Sequence, residues 1–244
     1  MPELTYGEIT EAGLCDLLER VAKCVGEPSV ESFTSGATFI DLGSGDGGAV
    51  LFAATRWPDL RVASGVELVR EHHDEALRRF SAACCKSADR VQPGGPPASE
   101  GGPEKPVDLV DRVRFICGDI LTVTWDELVR PMQSVEAGAA RRGRRRIIFL
   151  ANTICFGPKL CREILERIEA ESCTEDEAFI LCNNLLISGH PFQRRALEWL
   201  ENDVDVSWTA KGRWLVFWLP PNGEKVRRPI KCIHHTVQKA CVQS

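Results

Sequence analysis

Apolar and polar positions along this chain switch between the period of a helix and the unbroken runs of buried strands. From about Glu8 to Val25, the residues Leu14, Leu17, Leu18, Val21 and Val25 recur at the spacing of one helix face. ATFIDLG (Ala37 to Gly43) is a short apolar run ending in glycine, which predicts a strand buried on both sides. Gly47 to Thr55 then reads as helix, RVASGVE (Arg61 to Glu67) as a second strand closing on an acid, and Arg70 to Cys84 as helix. RVRFICGD (Arg112 to Asp119) is the third strand, with a short helix around Trp125 to Val129 after it. RIIFLAN (Arg146 to Asn152) is the fourth. Pro158 then opens a helix at its favoured first position, with Leu160, Ile164, Leu165 and Ile168 as its apolar face. AFILCNN (Ala178 to Asn184) is the fifth strand, Leu197 to Asn202 extends a further helical piece, and WLVFWL (Trp214 to Leu219) is a late strand.

Five apolar strands alternating with helices predict a parallel, doubly wound α/β sheet. A length of 244 residues fits one sizeable domain. Its expected divisions are an N-terminal helix with a covering loop at 1–36, the main domain at 37–219 and a basic tail at 220–244. QPGGPPASEGGPEKP (Gln92 to Pro106) is too rich in proline and glycine for helix or central strand and reads as a flexible insertion; a second irregular stretch lies near 133–144.

Composition narrows the class only modestly. A hydrophobic share of 43% with 27% charged residues is ordinary for a soluble globular protein. No apolar run reaches the ~20 residues that span a bilayer, and MPELTYGE has neither the basic nor the apolar part of a secretory signal. Neither a membrane partner nor export is therefore expected. Eleven cysteines, odd in number and without C-x-x-C spacing, read as reduced, partly buried thiols rather than a disulfide or zinc framework, and no metal site is expected. The net charge of −5 argues against a protein that coats nucleic acid. Two basic blocks depart from that balance: RRGRRR (Arg141 to Arg146), and Lys225, Arg227, Arg228 and Lys231 near the end. Each reads equally well as a solvated loop or as a contact for a polyanion.

In a doubly wound sheet, ligands bind outside the carboxyl ends of the strands at the topological switch point. DLGSGDG (Asp41 to Gly47) ends the first strand, where Gly43, Gly45 and Gly47 let backbone pass close to a ligand, with Ser44 between them also expected at the cofactor. Glu67 ends the second, where a carboxylate can accept from both hydroxyls of a ribose. This pair also occurs in dinucleotide-binding enzymes, so the loop's detail decides. Asp46 would bring negative charge towards a pyrophosphate, whereas Asp41 suits a ligand with an amino-acid end and a sulfonium, such as S-adenosylmethionine. Asp119 ends the third strand and can accept from an adenine amino group, with Ile120 packing on the ring; a turn or cap role is its alternative.

The run ANTICFGP (Ala151 to Pro158) is more particular. Together with YGE (Tyr6 to Glu8), DLGSGDG, GVE (Gly65 to Glu67), CGDILTVTW from Cys117 and SWT (Ser207 to Thr209), it resembles the disruptor-of-telomeric-silencing family of histone lysine methyltransferases, the non-SET class. The motifs keep the family's order from Tyr6 to about Leu219. The resemblance implies a class I S-adenosylmethionine-dependent methyltransferase fold, an α/β architecture with a mostly parallel doubly wound sheet, helices on both faces and a late antiparallel strand. It also implies a nuclear enzyme that methylates a lysine in the globular core of histone H3 on nucleosomes, with S-adenosylhomocysteine as product. It places Tyr6 and Glu8 in a loop over the cofactor, Asp41 at the methionine amino group, Glu67 at the ribose and Asp119 at the adenine. Asn152 and Phe156 match residues lining the passage where lysine meets the methyl group, Asn152 also bordering the cofactor, and Trp208 matches a wall of that passage. Thr153 stands where the family has the second of two asparagines, and Phe217 takes the place of a late-strand tyrosine. The basic segments 141–146 and 225–231 are then expected to contact DNA or acidic histone surface. Methyl transfer to an amine needs alignment and desolvation more than a strong base, and no general base is nominated.

Overall fold

The computed structural model describes residues 9–88, 109–129, 145–153, 156–172, 175–192, 196–207 and 209–221. Helix α1 (Glu11–Cys24) begins at Thr10, whose side chain accepts from the Gly13 N–H at 3.0 Å, and has Glu11 in its first turn and Lys23 in its last, signs that favour the helix dipole. A five-residue helix α2 (Val30–Thr34), capped by Ser29, follows; it is a single turn, too short to show a period in the sequence. The alternation then runs β1 (Thr38–Leu42), α3 (Gly48–Arg56), β2 (Val62–Glu67), α4 (Arg70–Ala88), α5 (Leu109–Arg112), β3 (Val113–Cys117), α6 (Trp125–Val129), β4 (Arg146–Ala151), α7 (Pro158–Glu171), β5 (Glu177–Cys182), β6 (Leu197–Val206) and β7 (Thr209–Leu219). The expected α/β alternation is present, and ten of the twelve elements from β1 to β7 match an expected element closely.

The strands form one seven-stranded sheet in the order β3-β2-β1-β4-β5-β7-β6. The first five are parallel, β7 pairs antiparallel with β5, and β6 pairs antiparallel with β7. This is the class I methyltransferase fold: a doubly wound parallel sheet finished by a reversed late strand. The period of two along each strand divides its side chains between two cores. Phe39, Ile148 and Leu150 pack with Leu14, Leu17 and Leu18 of α1 on one face. Ile40, Ile147 and Phe149 pack with Leu128 of α6 and Ile164, Leu165 and Ile168 of α7 on the other. Each such fully buried side chain contributes about 1.5–3 kcal/mol, which outweighs the weak propensity of these runs for any one conformation.

One expectation is corrected. Leu197 to Asn202 is not helical but the first half of β6. Its leucines, three apart, imitate a helix face, yet Leu197, Trp199 and Leu200 pair across to Trp218, Val216 and Leu215 of β7. Cross-strand pairing with an aromatic-rich neighbour overrides a six-residue pattern. Asp203, at φ 61, marks an irregularity between Glu201 and Val204 where the strand bends.

Arg145 and Arg146 also have a role the sequence did not announce. Arg146 lies in β4, where Nε meets Glu177 at 2.7 Å, Nη2 meets Glu27 at 2.6 Å and Nη1 donates to the Phe33 carbonyl at 2.8 Å. Its guanidinium also stands 4.7 Å from the centre of the Phe33 ring. Arg145 makes a two-pronged pair with Asp176 at 2.9 and 2.7 Å. These two arginines of the basic block hold the sheet together; the rest of that block, the insertion at 92–106, the stretch at 133–144, the tail with its segment 225–231, and the covering loop with Tyr6 and Glu8 lie outside the described residues. No helix among the described residues is long and apolar enough to cross a membrane.

Candidate functional site

The carboxyl ends of β1 and β4 mark the switch point, because the chain winds from β1 out to β3 on one side and resumes with β4 on the other. The glycine loop leaves β1 there. Gly43, Gly45 and Gly47 have φ of 84, 52 and 80°, in the left-handed region. The first is also closely overlaid: a Cβ on Gly43 would lie 3.0 Å from Phe156 Cζ. The loop is pinned from β2. Gly43 and Ser44 both donate their N–H to the Val66 carbonyl at 2.9 Å, and the Gly45 N–H donates to Glu67 Oε2 at 2.8 Å. Gly47 caps α3, so the loop delivers the chain directly into a helix N-terminus.

Glu67 is buried, and its Oε1 accepts from the Val69 N–H at 2.8 Å. Two backbone N–H groups thus fix its carboxylate, while each oxygen has a further lone pair with which to receive a ribose hydroxyl. Asp41 is buried in β1, between Gly65 of β2 and Leu150 of β4 in register. Ser44 is buried, and its hydroxyl has no hydrogen-bond partner among the described residues. An orphaned buried hydroxyl in a cradle of glycines fits a polar ligand. The donor and acceptor set therefore fits S-adenosylmethionine.

The residues expected at an adenine lie just past β3. Asp119 is exposed, and its Oδ1 accepts from the Leu121 N–H at 2.8 Å, the turn-closing role weighed against ligand binding. Ile120 is 9% exposed and packs into the core beside Val66 and Leu128, where burial gains more than an open face would, so little of it is left to meet a base. The exposed apolar surface next to Glu67 is Leu68, 67% exposed. Sequence reading passed over it, although a leucine directly after a strand-end acid was the available signal.

On the other side of the switch point, Phe156 brings the F-G-P segment over Gly43. Asn152, just past β4, accepts on Oδ1 from Asn183 Nδ2, and Asn183 in turn accepts from Thr153. Asn184 bridges the same region by donating to the Phe156 carbonyl and to Cys161 Sγ, both at 3.4 Å. Neither Asn183 nor Asn184 was singled out from sequence. Cys161 is buried, and burial pushes its thiol above the ordinary value; fully buried Cys182 is raised further for the same reason. Phe217 is not at this opening: it is 1% exposed in β7, edge-on to Phe192 at 5.2 Å, in the core on the α7 side. Apolar packing between β5 and β7 claims it. Trp208 lies outside the described residues. The thiols of Cys15, Cys84, Cys85, Cys117, Cys161 and Cys182 are free. Among the described residues no group of His, Cys, Asp and Glu is arranged to hold a metal ion.

No protein-family profile matches this chain, and no curated protein does. Among solved structures, it is similar to Streptococcus pneumoniae Sp1610 in complex with S-adenosyl-L-methionine, at 14% identity and a TM-score of 0.48, covering 90% of this chain and 77% of that one. A human methyltransferase 10 domain containing protein is similar at 14% identity and 0.46, covering 86% of this chain and 82% of the other. The mitomycin 7-O-methyltransferase MmcR is similar at 15% identity and 0.40; there the chain spans 36% of the longer protein and 72% of its own length. None of these likenesses points to the histone-directed family. With identities this low, the fold rests on the chain's own sheet order.

Proposed function

We propose that this chain transfers a methyl group from S-adenosylmethionine to a lysine in the globular core of histone H3 on nucleosomes. The observation that carries the reading is the meeting of two motifs: Phe156 of N-x-x-x-F-G-P stands against Gly43 of the cofactor loop. The most particular stretch of the sequence is thereby joined to the cradle that fits the cofactor. When bound, the cofactor supplies a methyl group on a sulfonium, and S-adenosylhomocysteine is left after transfer.

This chain's residues would divide the work by position along the sheet. Glu67 and the glycine loop hold the ribose, Asp41 the amino group of the methionine part, and Asp119 with Leu68 the adenine side; Tyr6 and Glu8 belong to the covering loop. Phe156, with Trp208, supplies apolar walls. Stripping water from a lysine disfavours its charged form, which yields the neutral amine that attacks. Holding that amine in line with the methyl group supplies the remainder of the rate, so no strong base is required. A nucleosomal substrate makes the enzyme nuclear.

The test is transfer of radiolabelled methyl groups to nucleosomes, to free histones and to a pool of small molecules. Label on histone H3 in nucleosomes alone is the expected result. Label elsewhere moves the assignment to a class I methyltransferase of another substrate. No label, with S-adenosylhomocysteine still bound, makes the chain an inactive binding module.

A further inference from the structure

Arg167 lies beside the apolar face of α7, and its side chain is only 13% exposed. Burying a guanidinium costs free energy unless its donors are met, so the groups that meet them are informative. Nε donates to Glu171 Oε1 at 2.6 Å, one turn further along α7, and Nη2 reaches Glu171 Oε2 at 3.4 Å. The rest of the fork leaves the helix: Nη1 donates to the Ile120 carbonyl and Nη2 to the Val123 carbonyl. The guanidinium also stands 4.8 Å from the centre of the Trp125 ring, whose edge-on contact with Phe149 at 5.2 Å seats the start of α6 on β4. Ile120 and Val123 bracket the turn that follows Asp119. Within it, the Asp119 carbonyl accepts from the Thr122 and Val123 N–H groups at 2.9 and 3.0 Å, and Oδ1 accepts from the Leu121 N–H at 2.8 Å. A planar guanidinium can hold both carbonyls of such a turn in fixed geometry, which a lysine's single ammonium cannot.

We infer that Arg167 is a positioning residue for the adenine end of the cofactor: it holds the turn at 119–123 so that the Asp119 carboxylate faces the amino group of the base. The inference rests on the cofactor reading above. Cys117 of β3 pairs in register with Glu67 of β2, and the Gly118 N–H donates to the Glu67 carbonyl at 2.9 Å. Asp119 therefore stands immediately beyond the acid assigned to the ribose. With the methionine part towards Asp41 in β1, the base extends the other way from Glu67, towards β3 and this turn. The turn uses one of the roughly four acceptor sites of an exposed carboxylate, which leaves acceptor capacity for an amino group. Because Oδ1 is tied to the turn's own backbone, the carboxylate moves only with the turn, and the turn is held from α7.

S-inosylhomocysteine carries an oxygen where S-adenosylhomocysteine has the amino group of its base, so the ratio of the two affinities reads recognition at that edge. Calorimetry on the unaltered protein is expected to favour S-adenosylhomocysteine by about tenfold, the worth of one hydrogen bond to a charged acceptor. Arg167→Met keeps the packing on Trp125 but removes every donor. It should abolish the preference by weakening S-adenosylhomocysteine, while S-inosylhomocysteine binds as before. In an Asp119→Ala background, where the preference is already lost, the same change should leave the ratio as it is. Arg167→Gln, whose amine ends where Nε stands and falls short of both carbonyls, should repeat the selective loss and serves if the methionine variant does not fold. An unchanged preference, an equal weakening of both ligands, or a further change of ratio in the Asp119→Ala background would each overturn the assignment. An unaltered protein that binds the two ligands equally would overturn the role of Asp119 and this inference with it. One that binds neither would overturn the cofactor reading itself.

Discussion

Single residues at the switch point are constrained by space as much as by chemistry. Gly43 combines φ 84° with an aromatic ring against its Cα. A side chain there faces the left-handed penalty of about 1–2 kcal/mol and must also displace Phe156. Gly43→Arg is therefore expected to abolish S-adenosylhomocysteine binding, read by calorimetry, while circular dichroism shows the fold retained. Persistence of methylation in that variant would remove the loop from the site. The thiols provide a second check. Burial raises the Cys161 and Cys182 thiols above the ordinary value, which favours the unreactive protonated form at pH 8. Exposed Cys85 should react with iodoacetamide at that pH, and Cys161 and Cys182 should not until the protein unfolds. Peptide mapping by mass spectrometry reads the difference; early labelling of Cys161 would show that the packing of α7 against Asn184 opens to solvent.

At the scale of elements, legibility followed burial. Four of the five parallel strands are covered on both faces, which writes them as apolar runs such as TFIDL and EAFILC, while β3, only partly buried, was legible from RVRFIC and the glycine after it. β6 was misread because its first half is only partly buried and its pattern comes from its partner strand rather than from itself. The site divides in the same way. Gly43, Ser44, Gly45 and Glu67 are local to strand ends and could be read in one dimension. The link from Thr153 through Asn183 to Asn152 joins residues 30 and 31 apart in sequence, and only the pairing of β4 with β5 brings them together. Gly13 is a similar case. Within a helix, glycine should cost about 1 kcal/mol against alanine. Here a Cβ would lie 2.0 Å from the Asp205 carbonyl oxygen, so α1 can dock on β6 only without a side chain at this position. Gly13→Ala is expected to destabilise by about 1–3 kcal/mol despite its better helix propensity. Urea denaturation measures it, and a more stable variant would show that α1 does not pack this closely.

For the whole molecule, the basic block Arg141 to Arg146 must be divided before it can be tested. Arg146 ties α2 and the loop before it to β4 and β5 through Glu27, the Phe33 carbonyl and Glu177, and Arg145 is paired with Asp176. Replacing all five arginines together would confuse loss of docking with loss of fold. Arg146→Ala alone should cost about 3–5 kcal/mol, since it removes the cation that offsets the buried carboxylate of Glu177. Arg141, Arg142 and Arg144, which lie outside the described residues, can be changed while Arg145 and Arg146 are kept. If nucleosomal phosphate is their partner, changing these three to alanine should release fewer counterions on binding and flatten the salt dependence by up to about three charges' worth. The expected outcome is weaker methylation of nucleosomes with a shallower decline as salt rises, while S-adenosylhomocysteine affinity and melting temperature stay as they were. The affinity measurement separates docking from the cofactor site, and the melt separates it from the Arg146 anchor. Equal activity for the triple variant across a salt series would detach this segment from substrate binding and leave recognition of the nucleosome to another surface.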